Sequence, residues 1–193
     1  MKSVLISIQP KWCDLIASGK KTVEVRKTRP KIETPFKVYI YQTRKPVQVS
    51  FSGTGRHISE YDRTYWYNER SGKVFGEFVC DAVLPMSLTY SNPESRLALK
   101  EFPFTCLTDK QIIDYLGNGK DGYGWHISDL VIYDKPKELN EFKRDCDGNC
   151  QTCKYAIWQT SGWAYEPYIA DCQPITRPPQ DWFYVWESED KCQ

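Results

Sequence analysis

At 193 residues, with 40% apolar and 15% aromatic residues, the chain is sized for one folded domain and lies far from disordered compositions. No apolar run approaches the roughly 18–20 residues a membrane helix needs, and residues 1–10 lack an h-region or cleavage site, so no membrane partner and a cytoplasmic location are expected. The net charge is +1, yet residues 1–50 hold 11 Lys/Arg against 3 Asp/Glu while residues 51–193 hold 15 against 22, which turns the first fifty toward an anion unless the halves interleave.

Val4, Ile6 and Ile8 alternate with Ser3, Leu5 and Ser7, predicting a mostly buried first strand. Pro10 suits the first turn of a helix, Trp12, Leu15 and Ile16 recur at helical spacing, and Gly19 caps its end. Thr22 to Arg26 reads as a strand with valines on one face. Residues 36–43 are β-branched and aromatic, the clearest strand of the chain. Residues 44–72, rich in Ser, Gly, Arg and Tyr, read as an insertion, and a strand resumes over 73–84.

A short helix is predicted over 93–102. Thr108-Asp109-Lys110-Gln111 forms a capping-box pattern before Ile112, Ile113 and Leu116, and Gly117 ends that helix. Another strand covers 124–133, one or two helical turns follow over 137–142, and Phe183 to Trp186 closes the chain after Arg177-Pro178-Pro179-Gln180. Strands at irregular spacing, peripheral helices and no βαβ alternation predict an α+β, mainly β fold built as a small barrel with helices outside. The organisation is a single domain, 1–193, made of a barrel (1–142), a Cys-rich extension (143–176) and a closing strand and tail (177–193).

On an extended segment Thr22, Glu24 and Arg26 project together, with Lys21 at the turn before them. Arg offers a planar fork for phosphate or a base edge, Glu accepts from exocyclic amino groups, and Lys beside a carboxylate can do acid–base work. The competing interpretation is a solvated strand edge carrying ion pairs.

Gly19-Lys20-Lys21-Thr22-Val23-Glu24-Val25-Arg26 reads as G-x-K-x-x-E-x-R, and the chain thereby resembles the ASCH domain superfamily. The order of its other segments, among them Val38 to Tyr41, Trp125-His126-Ile127 and Arg177-Pro178-Pro179-Gln180-x-Trp182, looks like phage- and prophage-borne members. The resemblance implies a PUA-like β-barrel, an RNA-related role, and a cleft lined by Lys21, Glu24 and Arg26. Some relatives resemble amidohydrolases acting on acetylated cytidine and others ribonucleases. The amidohydrolase motif reads G-x-K-T-x-T-x-R. This sequence keeps Lys21, Thr22 and Arg26 but has Glu24 in place of the proposed Thr nucleophile, and a carboxylate does not replace an activated hydroxyl.

Cys146, Cys150, Cys153 and Cys172 follow C-x3-C-x2-C-x18-C, a spacing that can close a tetrahedral, structural zinc site; four free thiols are the alternative. A radical-SAM cluster fails on context, because only 40 residues follow Cys153. Tyr61, Arg63, Tyr65, Trp66, Tyr67 and Arg70 interleave rings and guanidinium groups, suited either to unpaired bases or to packing over the barrel. No P-loop, Rossmann G-x-G-x-x-G or H-E-x-x-H is present.

Three functions follow as expectations. The first is binding of RNA or a modified nucleoside through Lys21, Thr22, Glu24, Arg26, Tyr41, His126 and Ser128. The second is a hydrolase with Lys21 and Glu24 as its acid–base pair, in which Lys21→Ala abolishes turnover and leaves the fold intact. The third is a zinc-stabilised protein-interaction module.

Overall fold

Apolar side chains on both faces shape the first element: in the computed structural model of the chain, β1 (Ser3–Ile8) sits between two other strands with almost every side chain buried. The structure describes residues 2–44, 69–86, 104–144 and 174–186, together with the backbone of 50–52, 55–57, 103, 156–161, 164–172 and 187. After β1 come α1 (Pro10–Ala17), β2 (Val23–Arg26), β3 (Phe36–Gln42), the hairpin β4 (Ser50–Ser52) and β5 (Gly55–His57), then β6 (Val74–Cys80) and β7 (Val83–Met86). A 3-10 turn (Pro103–Thr105) leads to α2 (Asp109–Leu116), β8 (Gly122–His126) and β9 (Ser128–Lys137). A second 3-10 turn (Leu139–Glu141) precedes β10 (Phe142–Arg144), and β11 (Ala156–Ser161), β12 (Ala164–Cys172) and β13 (Trp182–Glu187) complete the chain.

The larger sheet has the order β10-β13-β1-β3-β6-β9, and the smaller one β2-β8-β7. In the larger sheet β1 runs parallel to β3 and antiparallel to β13. Both of its faces are covered. Val4, Ile6, Ile8, Val38 and Ile40 enter a core with Phe75, Phe78 and Trp125, and Cys13 and Ile16 of α1 pack into it. Leu5, Tyr39, Val74 and Val185 face the other way, against Leu139, Phe142 and Ile175. α1 stops as predicted, with Gly19 at φ +71°, a conformation that costs glycine least.

Two predicted strands each break in two, and the breaks are one event. The strand expected over 73–84 divides into β6 and β7 at Asp81 and Ala82, and that over 124–133 divides into β8 and β9 at Ile127. In both cases one half belongs to the larger sheet and the other to the smaller. The His126 amide donates to the Ala82 carbonyl (2.9 Å), and His126 Nδ1 lies 2.6 Å from Asp81 Oδ1, so the two crossings are tied at a common corner.

Among the described residues the larger ladder ends at β9 and β10, so two sheets joined at that corner stand where one closed barrel was expected. The charged Asp81 stands at the first crossing and Ser128-Asp129 follow the second, yet strand-forming residues continue on both sides of each. The segment 44–72 contains the β4–β5 hairpin, and β11 pairs with β12 in the Cys-rich stretch. The latter was readable in Ile157 to Thr160 and Tyr165 to Ile169 flanking Gly162. The helix predicted over 93–102 lies outside the described residues. No helix among the described residues is long and apolar enough to cross a membrane.

Candidate functional site

The end of α1 delivers the first functional side chain. The amides of Lys20 and Lys21 both donate to the Leu15 carbonyl (3.0 Å each), which turns the chain so that the Lys21 side chain runs inward. Lys21 is only 2% exposed. Its Nζ donates to the carbonyls of Val23 (2.8 Å) and Thr105 (2.7 Å) and lies 3.3 Å from Glu24 Oε2. An ammonium has three N–H groups, and these three acceptors occupy them all.

Strand alternation places Glu24 and Arg26 on the same face of β2 while Val25 packs on Ile112 and Leu116 of α2. Glu24 Oε1 is 3.0 Å from Arg26 Nη2, which also donates to the Ser7 carbonyl at 2.9 Å. Arg26 Nη1 reaches Asp181 Oδ1 at 2.8 Å. The result is an unbroken chain of alternating charge: Lys21, Glu24, Arg26, Asp181. Burial alone would pull the Arg26 guanidinium down, but Glu24, Tyr115 and Asp181 outweigh it and hold its pKa above the ordinary value. Arg26 Nε is buried with no hydrogen-bond partner among the described residues.

Above this chain lies a cavity of about 570 Å³. Its floor is Lys21, Glu24 and Arg26, and its walls include the rings of Trp12 and Tyr115 and the polar side chains of Gln9, Gln111 and Gln180. The predicted capping box is present at α2 and orients one of these groups. Thr108 N donates to Gln111 Oε1 at 2.9 Å, which fixes the amide at the cavity wall. Burial raises the Tyr115 hydroxyl above its ordinary pKa, against the opposing charge of Arg26 and with smaller help from Asp181 and Glu24, so it stands as a neutral donor and acceptor at neutral pH.

Lys21, Glu24, Arg26 and Gln180 therefore gather in one place. Thr22, Tyr41, His126 and Ser128 are not among the cavity's lining. Tyr41 belongs to the core on the far face of the larger sheet, His126 is held at the sheet corner by Asp81, and Ser128 donates to the Val79 carbonyl at 2.8 Å. The backbone of Thr22 carries its contacts: its amide donates to Phe104 O and its carbonyl accepts from Ile127 N. Arg177 is exposed on the Pro-Pro segment. Arg70 is described and stacks over the Phe75 ring at 5.3 Å, while Tyr61, Arg63, Tyr65, Trp66 and Tyr67 lie outside the described residues. So do Cys146, Cys150, Cys153 and the side chain of Cys172.

Sequence reasoning missed Trp12, Arg44, Gln111, Tyr115 and Asp181 as members of the site. Trp12 was read only as a helix residue and Gln111 only as part of a cap. The expectation that Lys21→Ala leaves the fold intact is also corrected. A fully buried ammonium with every donor used is part of the frame, and its removal strands two carbonyls and leaves Glu24 paired with Arg26 alone.

Residues 6–100 match the family model of the ASCH domain. The fold is similar to crystal structures of two point variants of ZmASCH from Zymomonas mobilis. One is 18% identical, with a TM-score of 0.55, over 97% of this chain and 90% of that one. The other is 21% identical, with a TM-score of 0.50, over 72% of this chain and 77% of that one. No curated protein matches the chain.

Proposed function

We infer from the ASCH domain that this chain carries at residues 6–100 that its cleft binds RNA or a modified nucleoside. The family is generally associated with RNA. The observation that carries the reading is the cavity of about 570 Å³ with a carboxylate in its floor and two aromatic rings in its walls. Its size is that of a small-molecule site. Glu24 accepts from an exocyclic amino group, Gln111 and Gln180 supply amides for a base edge, and Trp12 and Tyr115 offer faces for stacking. Lys21 and Arg26 hold Glu24 in position rather than meeting the ligand with free donors.

The test is a calorimetric titration with nucleosides, modified nucleosides and short RNAs, comparing wild type with Tyr115→Ala. Tyr115 is 38% exposed, so its loss leaves the fold standing. Removing one stacking ring lowers affinity for the ligand by roughly 5- to 150-fold. No binding by wild type across the panel, or equal binding by the variant, overturns the reading.

A hydrolase acting on RNA or a modified nucleobase stands second, because acid–base work by Lys21 requires it to leave three acceptors that already hold it. For Cys146, Cys150, Cys153 and Cys172 the spacing supports structural zinc. Elemental analysis of the purified chain is expected to find one zinc per molecule, and Cys150→Ser to lose it; a metal-free, equally stable wild type would refute the site.

A further inference from the structure

The charges around the cleft do not balance. Its lining carries three cations, Lys21, Arg26 and Arg44. The carboxylates of Glu24 and Asp181 match the first two. Arg44 has no ion-pair or hydrogen-bond partner among the described residues. Glu138, whose charge is felt at the neighbouring Tyr41, is itself paired with Lys73 at 2.8 Å.

The backbone leading to Arg44 is nonetheless held in place. The Thr43 amide donates to the Ile8 carbonyl at 2.9 Å, which brings the end of β3 against the end of β1 and sets Arg44 on the cavity with Thr43 and Gln9. Gly72, at φ +79°, leaves the space that the guanidinium fills. A Cβ at that position would fall 2.0 Å from Arg44 Nε and 2.8 Å from its Cζ. A side chain at residue 72 is disfavoured by the positive φ, and would require the Arg44 side chain to shift. The Arg44 side chain is exposed at the end of β3, where its planar fork borders the cavity.

Resting on the binding reading above, we propose that the ligand is phosphorylated, a nucleotide unit rather than a free nucleoside, and that Arg44 receives its phosphate. The base then meets Glu24 and the two rings, and the phosphate meets Arg44 with the Thr43 hydroxyl and the Gln9 amide beside it. A guanidinium pairs two phosphate oxygens at once, which fixes orientation as well as charge. The same geometry accepts a free nucleotide or one nucleotide of an RNA strand.

The experiment titrates the full chain with the four ribonucleosides, their 5′-monophosphates and inorganic phosphate, at low and high salt. A monophosphate is expected to bind roughly 10- to 100-fold more tightly than its nucleoside, the value of a charge-assisted hydrogen-bonded pair. That margin shrinks at high salt. Arg44→Gln removes the margin and Arg44→Lys restores part of it. Equal affinity for nucleoside and monophosphate, a margin that survives Arg44→Gln, or inorganic phosphate binding as tightly as the nucleotide overturns the inference while leaving the binding reading in place. Binding of neither class to wild type overturns both.

Discussion

Glu24→Ala is expected to destabilise the chain by about 3–5 kcal/mol, read as a lower denaturant midpoint at an unchanged m value. The carboxylate bridges two cations, 3.3 Å from Lys21 and 3.0 Å from Arg26, whose side chains are 1% and 5% exposed. Its removal leaves both charges in a low-dielectric floor. Arg26 keeps Asp181, but Nε is already without a partner and gains none. Lys21 keeps two carbonyls, which satisfy two of its three donors without neutralising it. Glu24→Gln retains one acceptor oxygen and is expected to cost less. Replacing Lys21 with Met in the Glu24→Ala background should then recover stability, because it removes an uncompensated charge; a double-mutant cycle measures that coupling. A loss below about 1 kcal/mol for Glu24→Ala would mean that water entering the cavity solvates both cations, and the floor would not be a rigid electrostatic frame.

Trp125→Ala is expected to cost about 3–5 kcal/mol, the range for deleting a buried aromatic ring. Trp125 is fully buried in β8, and its ring meets Phe36 of the larger sheet edge-on at 5.7 Å and Trp182 of β13 at 6.1 Å. It is thus the side chain by which the smaller sheet, which carries Glu24 and Arg26, grips the larger one. Trp125 pairs directly with Glu24 across the β2–β8 ladder, so its loss also loosens the cleft floor. Its indole Nε1–H is buried with no partner among the described residues. Trp125→Phe is therefore expected to cost less than its lost volume implies, because it removes an orphaned donor along with the second ring. Thermal unfolding followed by tryptophan fluorescence distinguishes the two variants. A cost for Trp125→Phe as large as its lost volume implies would show that the orphaned N–H carries no penalty.

Much of this was legible in short segments. The alternation of Ser3 to Ile8, the helix between Pro10 and Gly19, the capping box at Thr108 and the co-facing of Glu24 and Arg26 each depend on a few adjacent residues. Backbone geometry sets a period of two or 3.6, and that period is printed directly in the sequence. The ASCH octapeptide was legible for the same reason, since the charged residues that define it stand within six positions of one another.

What the sequence left open was partnership across distance. Lys21 meets Thr105, 84 positions away, and Arg26 meets Asp181, 155 positions away. Nothing in the local pattern distinguishes Asp181 among 25 acidic residues. The crossings at Ala82 and Ile127 were hidden likewise, because a single polar residue within a strand-forming run does not say that the run changes its neighbour. The charge excess at Arg44 emerged only once every other charge in the cleft had found its counterpart. By itself the sequence determined the opening strand, the two helices, the octapeptide motif and which side chains of that motif share a face. The tertiary structure alone decided which charges are buried and matched, because desolvation and pairing depend on where distant segments meet, and no short-range period encodes that meeting.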